Sequence, residues 1–294
     1  MFAVETYLKA KSLAQAVELL AADPFARPIA GGTDVLVRLR EGHGEYSRLV
    51  DIHGLPELTR IEQGPDGSLS VGAGATFSRI VDSPLVRSLA PVLAEGCSWV
   101  AGPQIRNVGT VGGNICNGSV CADSVPPLLA LDALLELHGP EGVRTTPLRG
   151  FHTGPGRVAL GRAEVLSRIV VPKAPEGAFG AASIKYAMRQ AMDITTIGCS
   201  AALLLEGEVV RELRLAFSVA APTPVRCPAA EAAATGTRLG RETVKAVRRA
   251  VEADVRPRSS WRAGADFRLH IVKELAGRAM ETAARRAGFT GSMA

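Results

Sequence analysis

AGPQIRNVGTVGGNICNGSVCADSVPP, residues 101–127, is the stretch on which the reading of this chain turns. Gly102, Gly109, Gly112, Gly113 and Gly118 fall among Asn107, Thr110, Asn114, Asn117, Ser119 and Asp123, with few long charged side chains. Glycine lets the main chain approach a ligand closely and visit positive φ, so N–H groups and short polar side chains can converge. Composition alone equally describes a long surface loop that needs glycines for its turns. A second cluster, Ala30-Gly31-Gly32-Thr33-Asp34, tilts the balance. Two such loops can hold one extended, phosphate-bearing ligand between them.

Working outward, residues 1 to about 55 read as a small α/β unit. Ser12 and Gln15 form a capping box for a helix that places Leu13, Ala16, Val17 and Leu20 on one face and stops at Asp23-Pro24. Residues 27–30 read as a strand entering the Gly31-Gly32 turn, residues 35–39 as a helix, and residues 48–52 as a strand. Strand, Gly-Gly, helix is a place where free N–H groups face a phosphate. The GxGxxG and GxxxxGK[ST] fingerprints are absent.

Residues 56–176 read as a mixed subdomain. Asp66-Gly67 signals a hairpin before a strand at 68–72, one helix runs through Phe77, Ile80 and Val81, and another from Pro84 to about Cys97. After the 101–127 loop come a short helix from Pro126 and strands at 134–138, 143–148 and 165–171. Residues 177–182, GAFGAA, read as a linker. Residues 177–294 then read as a sheet (183–188, 197–205, 209–219, with a hairpin at Gly207) followed by helices at 229–234, 242–254 and 267–287. The fold class expected is α+β.

The 294 residues carry a net charge of +5, 47% hydrophobic residues and 4% aromatics. Arginines alternate with glutamates in the late helices, which reads as solvated surface rather than a nucleic-acid stripe. No run reaches the roughly 18 apolar residues of a membrane span, and the N-terminus has no secretory pattern, so a cytoplasmic location is expected. Cys97, Cys116, Cys121, Cys199 and Cys227 have no disulfide or metal spacing, and no metal is expected on this chain. His43, His53, His138, His152 and His270 are dispersed and read as surface or satisfied interior residues. HExxH and GxSxG are missing. Two polar cradles without a nucleophile or base suit a redox role in which a cofactor carries the chemistry.

The chain resembles the FAD-binding subunits of bacterial xanthine dehydrogenases, within the molybdenum hydroxylase family. AGGTDVLVRLR (30–40) and the segment 101–133 carry the likeness, and GFHTGPG (150–156), KYAMRQAMDITTIG (185–198), RLAFSVAAPTPVRC (214–227) and PRSSWRA (257–263) extend it over nearly the whole chain. The resemblance implies a vanillyl-alcohol-oxidase-type (PCMH-type) FAD-binding domain at 1–176, with subdomains about 1–55 and 56–176, and a C-terminal α+β domain at 177–294. It implies that Ile29, Ala30, Gly31, Gly32, Thr33, Asp34 and Val35 wrap the FAD pyrophosphate. Ala101, Thr110, Gly113, Asn114, Cys116, Asn117 and Asp123 match further FAD-contacting positions, and Leu166 matches one near the adenine. Lys185, Asp193 and Ile194 match positions by the isoalloxazine, where Lys185 would tune the flavin by its charge; from the residues alone it reads as an exposed strand lysine. The role of Cys121 stays open.

The implied partners are a molybdopterin-binding large subunit and a small subunit with 2Fe–2S clusters, in a heterotrimer that dimerises. NAD+ is the expected acceptor, with oxygen left open. Related hydroxylases acting on nicotinate, aldehydes or carbon monoxide, and a non-redox nucleotide-binding regulatory or assembly protein, remain alternatives at this stage.

Overall fold

The computed structural model describes residues 3–293. Three sheets of three to five strands follow one another along the chain, and a fourth, two-stranded sheet lies within the second unit. The first unit holds β1 (Thr6–Lys9), α1 (Leu13–Ala22), β2 (Arg27–Ile29), α2 (Val35–Arg40) and β3 (Arg48–Asp51). Its strands are parallel in the order β1-β3-β2. The four apolar residues expected on one face of α1 are all buried. Half of the capping box forms as expected, since Ser12 Oγ accepts from Gln15 N at 3.1 Å. The Gln15 amide oxygen instead accepts from Lys11 N at 2.7 Å, one residue short of the cap.

The second unit holds α3 (Pro56–Thr59), β4 (Ile61–Gln63), β5 (Leu69–Gly72), α4 (Phe77–Asp82), α5 (Pro84–Leu89), α6 (Pro91–Ser98), α7 (Pro103–Arg106), α8 (Val111–Cys116) and α9 (Val125–Ala130). It continues with β6 (Leu134–Gly139), β7 (Gly142–Pro147), β8 (His152–Gly154), β9 (Arg157–Val158) and β10 (Val165–Val171). The main sheet runs β4-β5-β10-β6-β7 and is antiparallel. The helix expected from Pro84 to Cys97 is two helices. Pro91 lacks the N–H a continuing helix needs, and Ala90 before it leaves the helical region at φ −145°, ψ 59°.

The third unit holds β11 (Ala178–Tyr186), β12 (Ile197–Glu206), β13 (Val209–Ser218), β14 (Val225–Arg226), α10 (Pro228–Ala234), α11 (Arg241–Ala250) and α12 (Ala265–Arg286). The stretch 177–182, expected as a linker, is mostly the first half of β11. Its small residues answer a packing demand rather than a need to bend. A Cβ on Gly180 would lie 2.1 Å from the carbonyl oxygen of Ala283, so the end of α12 rests directly on the strand. Val219, at the end of β13, holds φ 62°, a strained value for a β-branched residue, and its N–H donates to Val120 O of the second unit at 3.0 Å.

Candidate functional site

β2 delivers the chain into the Gly31-Gly32 turn, where Gly32 adopts φ +70°. The N–H groups of Gly31, Gly32, Thr33 and Asp34 donate to no acceptor among the described residues. Four consecutive free donors on a sharp turn form an anion-binding concavity. Asp34 caps α2 by position only; its side chain makes no cap bond and is free to act elsewhere.

The 101–127 segment is less of a loop than its composition suggests, because α7 and α8 lie inside it. Ala101 holds φ 42°, and the Arg106 guanidinium donates to the carbonyls of Val100 (3.0 Å) and Ala101 (3.1 Å). Thr110 caps α8 through Oγ1, which accepts from Gly113 N at 3.1 Å. Gly112 N donates to Ala73 O at 2.8 Å, and a Cβ on Gly112 would sit 2.5 Å from that of Ala73. These contacts seat α8 against the end of β5.

The two glycine clusters meet. A Cβ on Gly31 would lie 1.9 Å from Val108 O and 3.0 Å from Gly109 Cα, so the backbones touch where only glycine fits. Asn117 Nδ2 donates to Asp34 Oδ1 at 3.1 Å across the same junction. Burial pushes the Asp34 carboxyl up, against the pull of Arg38 and of the Asn117 bond. Burial thus opposes a negative charge at Asp34 beside the turn.

A cleft of about 770 Å³ runs between the loops, at the upper end of small-molecule sites. Ala30, Gly31, Gly32, Thr33, Asp34, Val35, Thr110, Gly113, Asn114, Cys116, Asn117 and Leu166 line it, together with Phe77, Val100 and Ile105. Asn114 Oδ1 accepts from Ser124 Oγ at 2.7 Å, which fixes its amide. Burial pushes the Cys116 thiol up to about 12, so it faces the cleft uncharged. His152 is an interior residue: its Nε2 donates to Ile115 O of α8 at 3.1 Å, and burial lowers its pKa.

The remaining candidates lie outside the lining. Ile29 is buried behind the turn, near Gly32. Lys185 is not the exposed strand lysine its sequence context suggests; burial of β11 against the second unit is the reason. Its Nζ donates to Asp123 Oδ2 at 2.7 Å and to Trp99 O at 3.0 Å, and the two side chains are only 10% and 9% exposed. Thr195 Oγ1 donates to the other Asp123 oxygen. Burial raises the Asp123 carboxyl more than Lys185 and Thr195 lower it. Asp193 accepts from Arg189 N and Ile194 N, both at 2.9 Å, and orders the turn between β11 and β12. Met192 of that turn lies against Gly102. Lys185, Asp123, Ala101, Asp193 and Ile194 thus gather beside the Val100 edge of the cleft. Cys121 packs toward the core of the third unit, with Sγ 3.1 Å from Ser119 Oγ.

Sequence reasoning missed Arg106, which shapes the second loop, and the Phe25–Arg48 region that extends the cleft. A lone arginine three residues past a proline gives no periodic signal. Among the described residues, no cluster of three or more His, Cys, Asp or Glu side chains suits a metal.

The chain is similar to known proteins in sequence and in fold. Residues 2–174 match the family model described as the FAD binding domain in molybdopterin dehydrogenase, and residues 182–283 match that of the CO dehydrogenase flavoprotein C-terminal domain. The xanthine dehydrogenase FAD-binding subunit of Escherichia coli O157:H7 is 48% identical over 288 residues, covering 98% of this chain and 99% of that protein. In the solved carbon monoxide dehydrogenase from Hydrogenophaga pseudoflava, one chain aligns with TM-score 0.93 and 32% identity, over 97% of this chain and 99% of that one. A chain of quinoline 2-oxidoreductase from Pseudomonas putida 86 aligns with TM-score 0.91 and 28% identity, over 98% and 100%.

Proposed function

The chain belongs to the family of FAD-binding subunits of the molybdopterin dehydrogenases, and from that premise we propose that it is the electron-transfer subunit of a xanthine dehydrogenase-type molybdenum hydroxylase. The observation that carries this reading is the run of four free N–H groups at Gly31–Asp34, facing a cleft that the second glycine loop closes. The donor set fits FAD: a turn for the pyrophosphate, amides and a hydroxyl beside it, and an apolar wall at one end.

FAD, when bound, supplies the capacity to take electrons from an iron–sulfur centre and to pass them on as hydride. The residues of the chain bind and orient. The N–H groups of Gly31–Asp34 hold the pyrophosphate, and Asn117 keeps Asp34 turned toward α8. Asn114 and Thr110 fix the second loop, while Phe77, Val100 and Ile105 keep water from the apolar end. Lys185, held by Asp123, places a positive charge near that end and would favour electron density on the ring.

Electrons would arrive from 2Fe–2S clusters on a small partner subunit, after substrate oxidation at a molybdopterin-binding large subunit, and leave to NAD+. The assembly would be a heterotrimer that dimerises, in the cytoplasm; no described helix is long and apolar enough to cross a membrane. Identity of 48% to a xanthine dehydrogenase subunit against 32% to the carbon monoxide dehydrogenase chain supports the xanthine type. The test is to purify the chain with its partners and record the flavin spectrum, metal content and NAD+ reduction with xanthine. A complex holding no flavin would defeat the reading, and turnover with oxygen but not NAD+ would correct the acceptor.

A further inference from the structure

The block PRSSWRA (257–263) and α12 behind it take no part in the cleft. Between them they hold three arginines with no acid to neutralise them. Arg268, in the first turn of α12, is only 2% exposed. Its Nη2 donates to Ser260 Oγ at 2.9 Å and its Nη1 donates to Thr196 O, while Nε finds no acceptor among the described residues. Burial, and then the charges of Arg258 and Arg262, lower its pKa. No carboxylate among the described residues pairs with any of the three. Asp266, the one acid between residues 257 and 268, makes no ion pair with them either. A guanidinium out of water with like charges beside it is costly, and an acid brought to Arg258 and Arg262 from outside would relieve it.

The same segment carries an anchor. Trp261 is 80% exposed, with Arg262 Cζ stacked 4.1 Å from its ring centre. One exposed apolar residue carries little meaning, but Trp261 stands on a braced turn. Ser260 and Ala263 exchange backbone hydrogen bonds at 3.0 and 3.2 Å. The Ser259 and Ser260 hydroxyls accept from Ala265 N at 3.0 Å and from Arg262 N at 3.3 Å. Little freedom is left for a partner to freeze. Phe267 of α12 is 46% exposed and leans on Tyr186, ring centres 6.0 Å apart, and the turn after Tyr186 exposes Met188 and Met192. Protein interfaces enrich aromatic residues, methionine and arginine and deplete lysine, and residues 186–194 and 257–268 hold no lysine. The methionines offer apolar area that a phosphate backbone would leave uncovered.

We propose that the Trp261 turn, with Arg258 and Arg262, docks another protein chain whose facing surface places carboxylates around a pocket for the indole. That chain is another subunit of the complex proposed above, so the inference rests on that reading and adds to it where this subunit is held.

The experiment is to purify the complex through a tag on this chain and to measure iron and molybdenum per flavin. Trp261→Ala, and the double variant Arg258→Glu with Arg262→Glu, remove no core packing. A melting temperature and a flavin-to-protein ratio that do not fall in the separate full chain check this. Each variant is expected to weaken association by about tenfold or more, the scale of an interface hot spot, so that iron and molybdenum per flavin drop in dilute samples. Arg258→Lys with Arg262→Lys, which keeps the charge, is expected to hold them. Metal ratios unchanged in both disrupting variants overturn the docking surface while leaving the FAD reading standing. A separate unaltered chain that dimerises through Trp261, with the complex indifferent to its loss, assigns the turn to a second copy and overturns the proposal. An unaltered chain that binds flavin but brings down no iron or molybdenum overturns the assembly reading, and the docking surface falls with it.

Discussion

At the scale of single residues, the junction of the two loops makes the sharpest prediction. Gly31→Ala would drive a methyl group into the Val108 carbonyl, and backbone cannot rotate away as a side chain can. The expected result is a protein destabilised by about 1–3 kcal/mol that retains little flavin, read from its melting temperature and its flavin-to-protein ratio. Lys185 gives a second. Lys185→Met leaves the Asp123 carboxylate buried without its cation, at an expected cost of about 3–5 kcal/mol. Adding Asp123→Asn should recover most of that loss in thermal melts, whereas a lysine that acted only by packing would show no recovery. The glycines of both cradles were legible in the sequence because their chemistry is local. The burial of Lys185 was not, since its partners Asp123 and Trp99 lie on other elements and no spacing rule connects them.

Among the elements, α8 shows how far local rules reach. Thr110 as cap and the glycines behind it are visible in sequence, but a six-residue helix with two glycines has poor intrinsic propensity. Contacts to Ala73, Ala75 and His152 hold it, and those are tertiary. Strong signals fared better: α1, β3, β10 and the late helices stand close to their expected limits. β11 was misread because its Ala and Gly residues, chosen to admit α12, look like a flexible link. His152 ties α8 to pH. Burial holds its folded pKa below the ordinary 6.5, so the unfolded chain takes up the proton first. Stability is therefore complete above about pH 6.5 and is lost as pH falls below that value. Melting temperature should drop on acidification in the unaltered protein, and His152→Gln, which keeps a donor for Ile115 O, should flatten that drop.

For the whole molecule, the decisive contacts join the C-terminal unit to the cofactor-binding units. Arg226, only 6% exposed, donates to Leu129 O at 3.0 Å, pairs with Asp132, and reaches Glu231 at 2.6 Å. Arg286 at the end of α12 pairs with Glu95 of α6 at 2.7 Å. Arg226→Met should cost about 3 kcal/mol and make residues 172–177, where the chain passes between units, cleave faster in limited proteolysis. The general architecture was readable from the order of elements and from the family likeness. How the units press together was not, because it depends on pairs such as Arg286–Glu95 that lie far apart in the chain. The Lys185–Asp123 pair carries a consequence for biosynthesis. Asp123 leaves the ribosome well before Lys185, so a nascent chain can complete the Gly31–Gly32 turn while this carboxylate still lacks its counter-ion. The contacts of Lys185 beside the Val100 edge of the cleft can form only after the third unit has begun to emerge.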